Sequence, residues 1–279
     1  MNSIVAVIGD VHHQLWLAVE ELSRIERNLG RAIDQVFSVG DLGLFLEEAD
    51  WRFLTGPAKH RHPDDTPRIR KAWEAWRWPL SMIAGNHEPF HHLRNWNPDH
   101  FGGKLRYVDA GEMPHSIPGF RAYGLSGIFH PGELNFTNEA EKWRAKKSLR
   151  SSWPEMVEQV QKNAVSPKRL TYYKQFEIDL LLALPPNPHL LLTHDWPVKP
   201  NRLRFEYPRR PETELVNQVQ PQYACCGHHH ASAAFEVPPT QVRALNIISR
   251  DTSGNIINPG WCLLLEWDGM RLIERKLSP

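Results

Sequence analysis

The chain has 279 residues, of which 41% are hydrophobic and 23% charged. That is an ordinary globular balance with ample length for a real core. A net charge of +1 excludes a bulk electrostatic footprint for nucleic acid or membrane, although a local basic patch fits within a balanced total.

No stretch approaches the ~18 apolar residues of a membrane helix. The apolar run at residues 4–8 lacks the length and basic flank of a secretory signal. The expected location is the cytoplasm, without membrane attachment. Three cysteines, Cys225, Cys226 and Cys262, are an odd set with two adjacent members. They are expected to be buried free thiols in a reducing compartment.

Residues 4–8 (Ile, Val, Ala, Val, Ile) read as a buried strand that runs into Gly9, Asp10, Val11, His12 and His13. Residues 14–29 carry Leu15, Val19, Leu22, Ile25 and Leu29 at helical spacing, with Gly30 placed as a C-cap. Residues 35–39 form a second strand ending at Gly40 and Asp41. This βαβ unit predicts an α/β fold with its ligands at the carboxyl ends of the strands.

Residues 46–54 suggest a short helix. Trp73 and Trp76 share a helical face, which is expected to pack in the core rather than stack on bases. A third strand, 80–84, ends at Gly85, Asn86, His87 and Glu88. A hairpin is expected around 105–108 and 121–127. The charged segment 138–150 reads either as a lid or as a surface helix. Residues 170–184 form a further helix, stopped by Pro185 and Pro186.

A fourth strand, 189–193, ends at His194 and Asp195. Downstream, Arg202 and Arg204 either grip phosphate oxygens of a substrate or lie in a solvated loop. Residues 223–226 lead to Gly227, His228, His229 and His230. Alternate residues of a strand or tight turn face one way, so His228 and His230 can converge while His229 points elsewhere. His91 and His92 read as ordinary surface residues. The tail, from residue 233 on, reads as strands of a second sheet. One domain spans 1–279, with most of the inserted material at 89–188.

Five apolar runs thus end in polar clusters, expected to meet at one sheet edge as ends of parallel neighbouring strands, and the clusters hold only nitrogen and oxygen donors. Such a set suits two first-row divalent ions (Mn, Fe, Ni or Zn) rather than a cysteine-rich structural zinc. The central Asp41 is the natural bridging ligand. Two cations ~3.5–4 Å apart can hold a hydroxide for in-line attack on a phosphoryl group.

Gly9-Asp10-x-His12, Gly40-Asp41, Gly85-Asn86-His87-Glu88, His194 and Gly227-His228-x-His230 together resemble the five-motif signature of the calcineurin-like metallophosphoesterases. The resemblance implies a four-layer α/β/β/α sandwich. It also implies Asp10, His12, Asp41 and His230 on one metal, and Asp41, Asn86, His194 and His228 on the other. His87 would protonate the leaving alkoxide or stabilise transition-state charge. Glu88 would support the ligands from behind, and Asp195 would orient the His194 ring.

The segment after Asp41, Leu42-Gly43-Leu44-Phe45, lacks the Asp-Arg pair of protein Ser/Thr phosphatases, which counts against a phosphoprotein substrate. Thr193-His194-Asp195-Trp196-Pro197, Gly127-Ile128-Phe129 and the Tyr172-Tyr173 region are similar to RNA lariat debranching enzymes, which hydrolyse 2′,5′-phosphodiester branches. Those enzymes often carry a cysteine where this chain has Asp10, so here the first metal site is complete.

The expected function is a phosphodiesterase acting on a nucleotide or RNA, with no obligate protein partner. The alternatives are a broad-specificity phosphomonoesterase and a non-catalytic scaffold of the same fold. Scaffolds of that kind usually lose a ligand or the histidine at the His87 position, and here the set is intact.

Overall fold

A computed structural model describes residues 2–55, 61–130, 152–197, 211–256 and 258–276. Two six-stranded sheets pack face to face. The first runs β12-β11-β1-β2-β3-β4, formed by β1 (Ser3–Ile8), β2 (Gln35–Ser38), β3 (Leu80–Met82), β4 (Leu105–Tyr107), β11 (Cys262–Trp267) and β12 (Leu272–Arg275). The second runs β5-β6-β7-β8-β10-β9, formed by β5 (Ala110–Glu112), β6 (Ala122–Leu125), β7 (Leu190–Thr193), β8 (Tyr223–Cys226), β9 (Ala233–Val237) and β10 (Thr240–Ala244). β1 to β4 are mutually parallel, as are β6, β7, β8 and β10.

The alternation of side chains explains why the strands read as unbroken apolar runs. Ile4, Ala6 and Ile8 of β1 face outward into a core shared with α1 (Leu15–Leu29), α2 (Thr66–Ala75), α3 (Phe90–Leu93) and α4 (Trp153–Gln161). Val5 and Val7 face inward and meet Leu190, Leu192 and Cys225 of the second sheet. The far face of that sheet, with Tyr123, Leu191 and Ala224, is covered by α5 (Gln175–Leu182) and α6 (Pro211–Val219). Both faces of the central strands are therefore dry and apolar. The result is the helix, sheet, sheet, helix layering that the sequence predicted.

α1 buries Leu15, Ala18, Leu22 and Ile25, and Gly30 closes it in the left-handed conformation at φ 62°. Trp73 and Trp76 are core residues. The predicted helix at 46–54 is a 3-10 turn, Glu48–Phe53, and the one at 170–184 begins at Gln175 after a separate 3-10 turn, Pro167–Thr171. All three cysteines are buried and free.

Three expectations need correction. Residues 105–107 and 122–125 do not form a hairpin. β4 adds to β3 in the first sheet, whereas β6 lies in the second beside β5 and β7. The chain changes sheets between them, and Ser126 fixes the crossing, its N–H donating to the Asp109 carbonyl and its hydroxyl to that of Val108. The tail does not build one sheet by itself, since β9 and β10 join the second sheet and β11 and β12 the first. The five motif-bearing strands do not lie at a single sheet edge either, because three belong to one sheet and two to the other. The charged segment 138–150 lies outside the described residues.

Arg94 ties this crossing to the helical layer. Its buried guanidinium donates to Asp109 at 2.5 Å and Glu177 at 3.1 Å, and it lies 3.8 Å over the Trp153 ring. Arg94→Met would strand the buried Glu177 carboxylate. Loss of one partner from such a pair costs about 3–5 kcal/mol, readable by urea unfolding. Burial already lifts Glu177 to about 7, against the pull of Arg94. Without the cation its folded pKa rises further above the unfolded value. The folded state then holds the extra proton, so the variant should lose stability as pH rises from about 5 to 8.

Candidate metal centre

The carboxyl ends of β1, β2 and β3 meet those of β7 and β8 where the two sheets face each other. Asp10 follows β1, Asp41 follows β2, and Asn86 and His87 follow β3. His194 follows β7, and His228 and His230 follow β8. The loops are bonded to one another. The N–H groups of Val11 and His12 both donate to the Asp41 carbonyl, at 3.0 and 2.6 Å, and that of Gly227 donates to the His194 carbonyl at 3.0 Å.

Asp41 is central. Its buried Oδ1 accepts from the backbone N–H of Asn86 at 2.6 Å and of His87 at 2.7 Å. Its Oδ2 lies 3.4 Å from Nε2 of His194 and 4.0 Å from Nε2 of His12. Asp10, also buried, accepts from the His228 N–H, and its Oδ2 is 3.2 Å from Nε2 of His230. The Nε2 atoms of His12 and His230 approach to 2.9 Å. Two donor sets result, Asp10/His12/His230 and Asp41/His194/His228, and within each the ligand atoms lie within 4.8 Å of one another. Oδ1 of Asn86 is 3.3 Å from Nε2 of His194.

The backbone is strained here. His12, Asp41, His228 and His230 all have φ between 49° and 70°, a region that costs a residue with a side chain about 1–3 kcal/mol. His228 and His230 thus converge through a left-handed turn rather than through strand alternation. Glycine is required at two close approaches. A Cβ at Gly85 would lie 2.1 Å from Asp41 Oδ1, and one at Gly227 would lie 2.2 Å from Asp10 Oδ1.

The residues fit divalent cations. Two fully buried carboxylates face imidazole nitrogens, and burial of unpaired carboxylates is costly. Burial lowers His12 to about 4, keeping it the neutral imidazole a metal ligand must be. Burial also lowers His228. At His194 burial acts downward too, but the Asp41 carboxylate overrides it and lifts the ring to about 10. A cation at Asp41 competes with that proton. The nearby thiols are poor candidates, since burial pushes Cys225 up to about 12.

Glu88 lies behind the Asp41 loop. It accepts from the N–H groups of Leu42 at 2.7 Å and Gly43 at 3.1 Å and so fixes the chain after Asp41. Burial and the Asp41 charge raise it to about 8. Glu88→Ala leaves two buried donors unmatched, at about 1–3 kcal/mol each. Metal affinity should fall about 10–100-fold as the ligand loop loosens, measurable by competition with a chelating dye.

The expected role of Asp195 needs correction. Nδ1 of His194 is bonded to the Val39 carbonyl at 2.8 Å, so a backbone oxygen orients that ring. Asp195 instead accepts from the Phe129 N–H at 2.9 Å, and its Oδ1 lies 3.8 Å from Nε2 of both His228 and His229. His229 turns from the cavity and packs against Trp196. His13 lines the cavity, while Gln14 takes the N-cap position of α1. Arg202 and Arg204 lie outside the described residues.

The cavity measures ≈ 330 Å³, and His87 opens onto it beside His12. Its lining also includes the apolar side chains of Phe45, Trp51, Leu54 and Ile247. Phe45 and Trp51 stack at 4.4 Å. Sequence reasoning missed this apolar lining. The available signal was large apolar side chains, Phe45, Trp51 and Leu54, in and beside the short segment directly after a ligand motif.

The calcineurin-like phosphoesterase family profile matches residues 4–232. The chain belongs to that family. It is therefore a hydrolase of phosphoester bonds, from a family that binds divalent metals. The lariat debranching enzyme of Entamoeba histolytica is 24% identical over 263 residues, covering 88% of this chain and 68% of that protein. The lariat debranching enzyme of Mus musculus is 26% identical over 82% of this chain but only 42% of its own length. The chain thus spans about two thirds of the amoebic relative and under half of the mouse one. One crystal structure matches over 100% of both chains with a TM-score of 0.52 at 12% identity, which shows the fold alone. Among the described residues no helix is long and apolar enough to cross a membrane.

Proposed function

We propose that this phosphoesterase is a dinuclear metal-dependent phosphodiesterase acting on nucleotide or RNA diesters, with 2′,5′-branched RNA as the first substrate class to test. The observation that carries the reading is the pair of donor sets meeting at Asp41 on the floor of one cavity. Asp10, His12, Asp41 and His230 would hold one cation, and Asp41, Asn86, His194 and His228 the other. Bound there, two cations such as Mn, Fe, Ni or Zn acidify water and neutralise phosphoryl charge.

The protein's own groups do the rest. Asp41 fixes the spacing of the two halves because its Oδ1 is already held by two backbone donors. His87 stands at the cavity wall outside both sets and delivers a proton to the departing alkoxide oxygen. The stacked Phe45 and Trp51 are almost wholly buried and give the cavity an apolar edge for the substrate. The debranching relatives support a diester, and a cytoplasmic location belongs to the same proposal.

The test compares a bis-aryl phosphate, a mono-aryl phosphate and a 2′,5′-branched oligoribonucleotide under each metal in turn. The reading expects both diesters to be cleaved faster than the monoester. Turnover of the monoester alone would replace it with a phosphomonoesterase.

A further inference from the structure

A second group of imidazoles surrounds a buried carboxylate away from the Asp41 centre. Asp50 sits in the Glu48–Phe53 turn with its side chain fully enclosed. Three histidines turn their Nε2 atoms toward it. His91 and His92 come from α3, and His100 comes from the 3-10 turn Pro98–Phe101. His91 and His92 lie 3.1 and 3.3 Å from Asp50 Oδ1, and His100 lies 3.5 Å from Oδ2. The side chains of His91, His92 and His100 are only 10%, 19% and 4% exposed. The expectation that His91 and His92 are surface residues is therefore wrong.

Against burial, which acts upward, the three imidazoles hold the Asp50 carboxyl well below the usual carboxylate range, yet the contacts are poorly aligned as hydrogen bonds. Asp50 Oδ1, His92 Nε2 and His100 Nε2 are all buried with no hydrogen-bond partner. Asp50 Oδ2 accepts from the Glu47 N–H at 2.9 Å, which anchors the carboxylate and leaves Oδ1 turned to the imidazoles. The rings form a stacked column. His92 and His100 stack at 3.5 Å, His91 packs on His92 at 4.0 Å, and the other face of His91 lies on Phe53 at 3.7 Å. The Glu47 carboxylate stands 3.9 Å from Nδ1 of His100, on the side away from Asp50.

Buried polar atoms that converge in poor hydrogen-bond geometry are costly unless something joins them. The donor atoms of Asp50, His92 and His100 lie within 4.8 Å of one another, which is ligand spacing. Three imidazole nitrogens and one carboxylate oxygen, with no thiolate, suit a zinc ion once His92 and His100 turn out of their stack to aim their ring nitrogens at it. A carboxylate behind a ligating histidine is a common support for such an ion.

We propose that Asp50, His91, His92 and His100 form a zinc site separate from the Asp41 centre. Its role follows from the segments it would join. Asp50 adjoins Trp51 of the cavity wall, and α3 begins shortly after Asn86 and His87. A zinc ion here clamps the substrate-facing wall to the chain that carries His87.

Zinc K-edge anomalous scattering from crystals of the zinc-loaded full chain tests the site directly. A peak enclosed by Asp50, His91, His92 and His100 is the expected result. No peak there, in crystals whose Asp41 centre is filled, overturns the proposal. In solution, wild type and Asp50→Asn, which keeps the side-chain volume, are stripped with chelator, titrated with zinc, and counted for metal after gel filtration. Folded Asp50→Asn should hold one zinc per chain fewer than wild type, and equal counts contradict the site. Asp41→Asn should retain this zinc, so the proposal stands or falls independently of the proposed hydrolytic function.

Discussion

Asp41→Asn is expected to abolish phosphodiester turnover and to lower metal content at the Asp41 centre while leaving the fold intact. The amide keeps one oxygen to accept from the Asn86 and His87 N–H groups, so loop geometry is largely preserved. What it loses is the charge shared between the two donor sets and the second carboxylate oxygen, 3.4 Å from His194 and 4.0 Å from His12. Lewis-acid stabilisation of a phosphoryl transition state is worth several kcal/mol. At 1.36 kcal/mol per tenfold, the expected loss in kcat is about 10³-fold or more. Metal analysis and single-turnover kinetics on the same preparation check both halves. Full turnover in the variant would remove Asp41 from the bridging place proposed for it.

His87→Ala should separate chemistry from metal binding. His87 is held to the centre through its backbone, whose N–H donates to Asp41 Oδ1 at 2.7 Å, and alanine retains that bond. Metal content should therefore stay at the wild-type level. Turnover should fall by about 10²–10⁴-fold, the range for removing a general acid. The deficit should shrink for substrates with better leaving groups, because a departing oxygen of low basicity needs no proton. An equal deficit across a series of aryl leaving groups would make His87 an electrostatic rather than a proton-donating residue.

The site was far more legible in the sequence than the topology that builds it. Asp10, Asp41, Asn86, His194 and His228 each sit at the end of an apolar run, and runs of that kind announce strands buried on both faces. Helix α1 was equally plain, because Leu15, Leu22 and Ile25 repeat at helical spacing and Gly30 closes the turn. Which strands pair was not readable. β4 and β6 are both short, and nothing local tells that one joins β3 and the other β7. That choice is made by contacts distant in sequence, such as Gly127 N–H to the Ala84 carbonyl at 2.7 Å.

The His194 partner was missed for a different reason. A motif of side chains suggested Asp195, whereas the acceptor is the Val39 backbone carbonyl, which leaves no mark in residue identity. The enclosure of His91 and His92 was hidden because their partners, Asp50 and His100, lie on other turns of the chain. Trp51 and Phe45 could be recognised as a cavity wall only once the Asp41 loop was folded beside them.

The most direct measurement of the central claim is electron paramagnetic resonance of the protein reconstituted with Mn(II). Two ions sharing Asp41 should give the broad, exchange-coupled spectrum of a manganese pair, in proportion to diesterase activity and lost in Asp41→Asn. Full activity accompanied only by isolated, uncoupled Mn(II) signals would contradict a dinuclear centre.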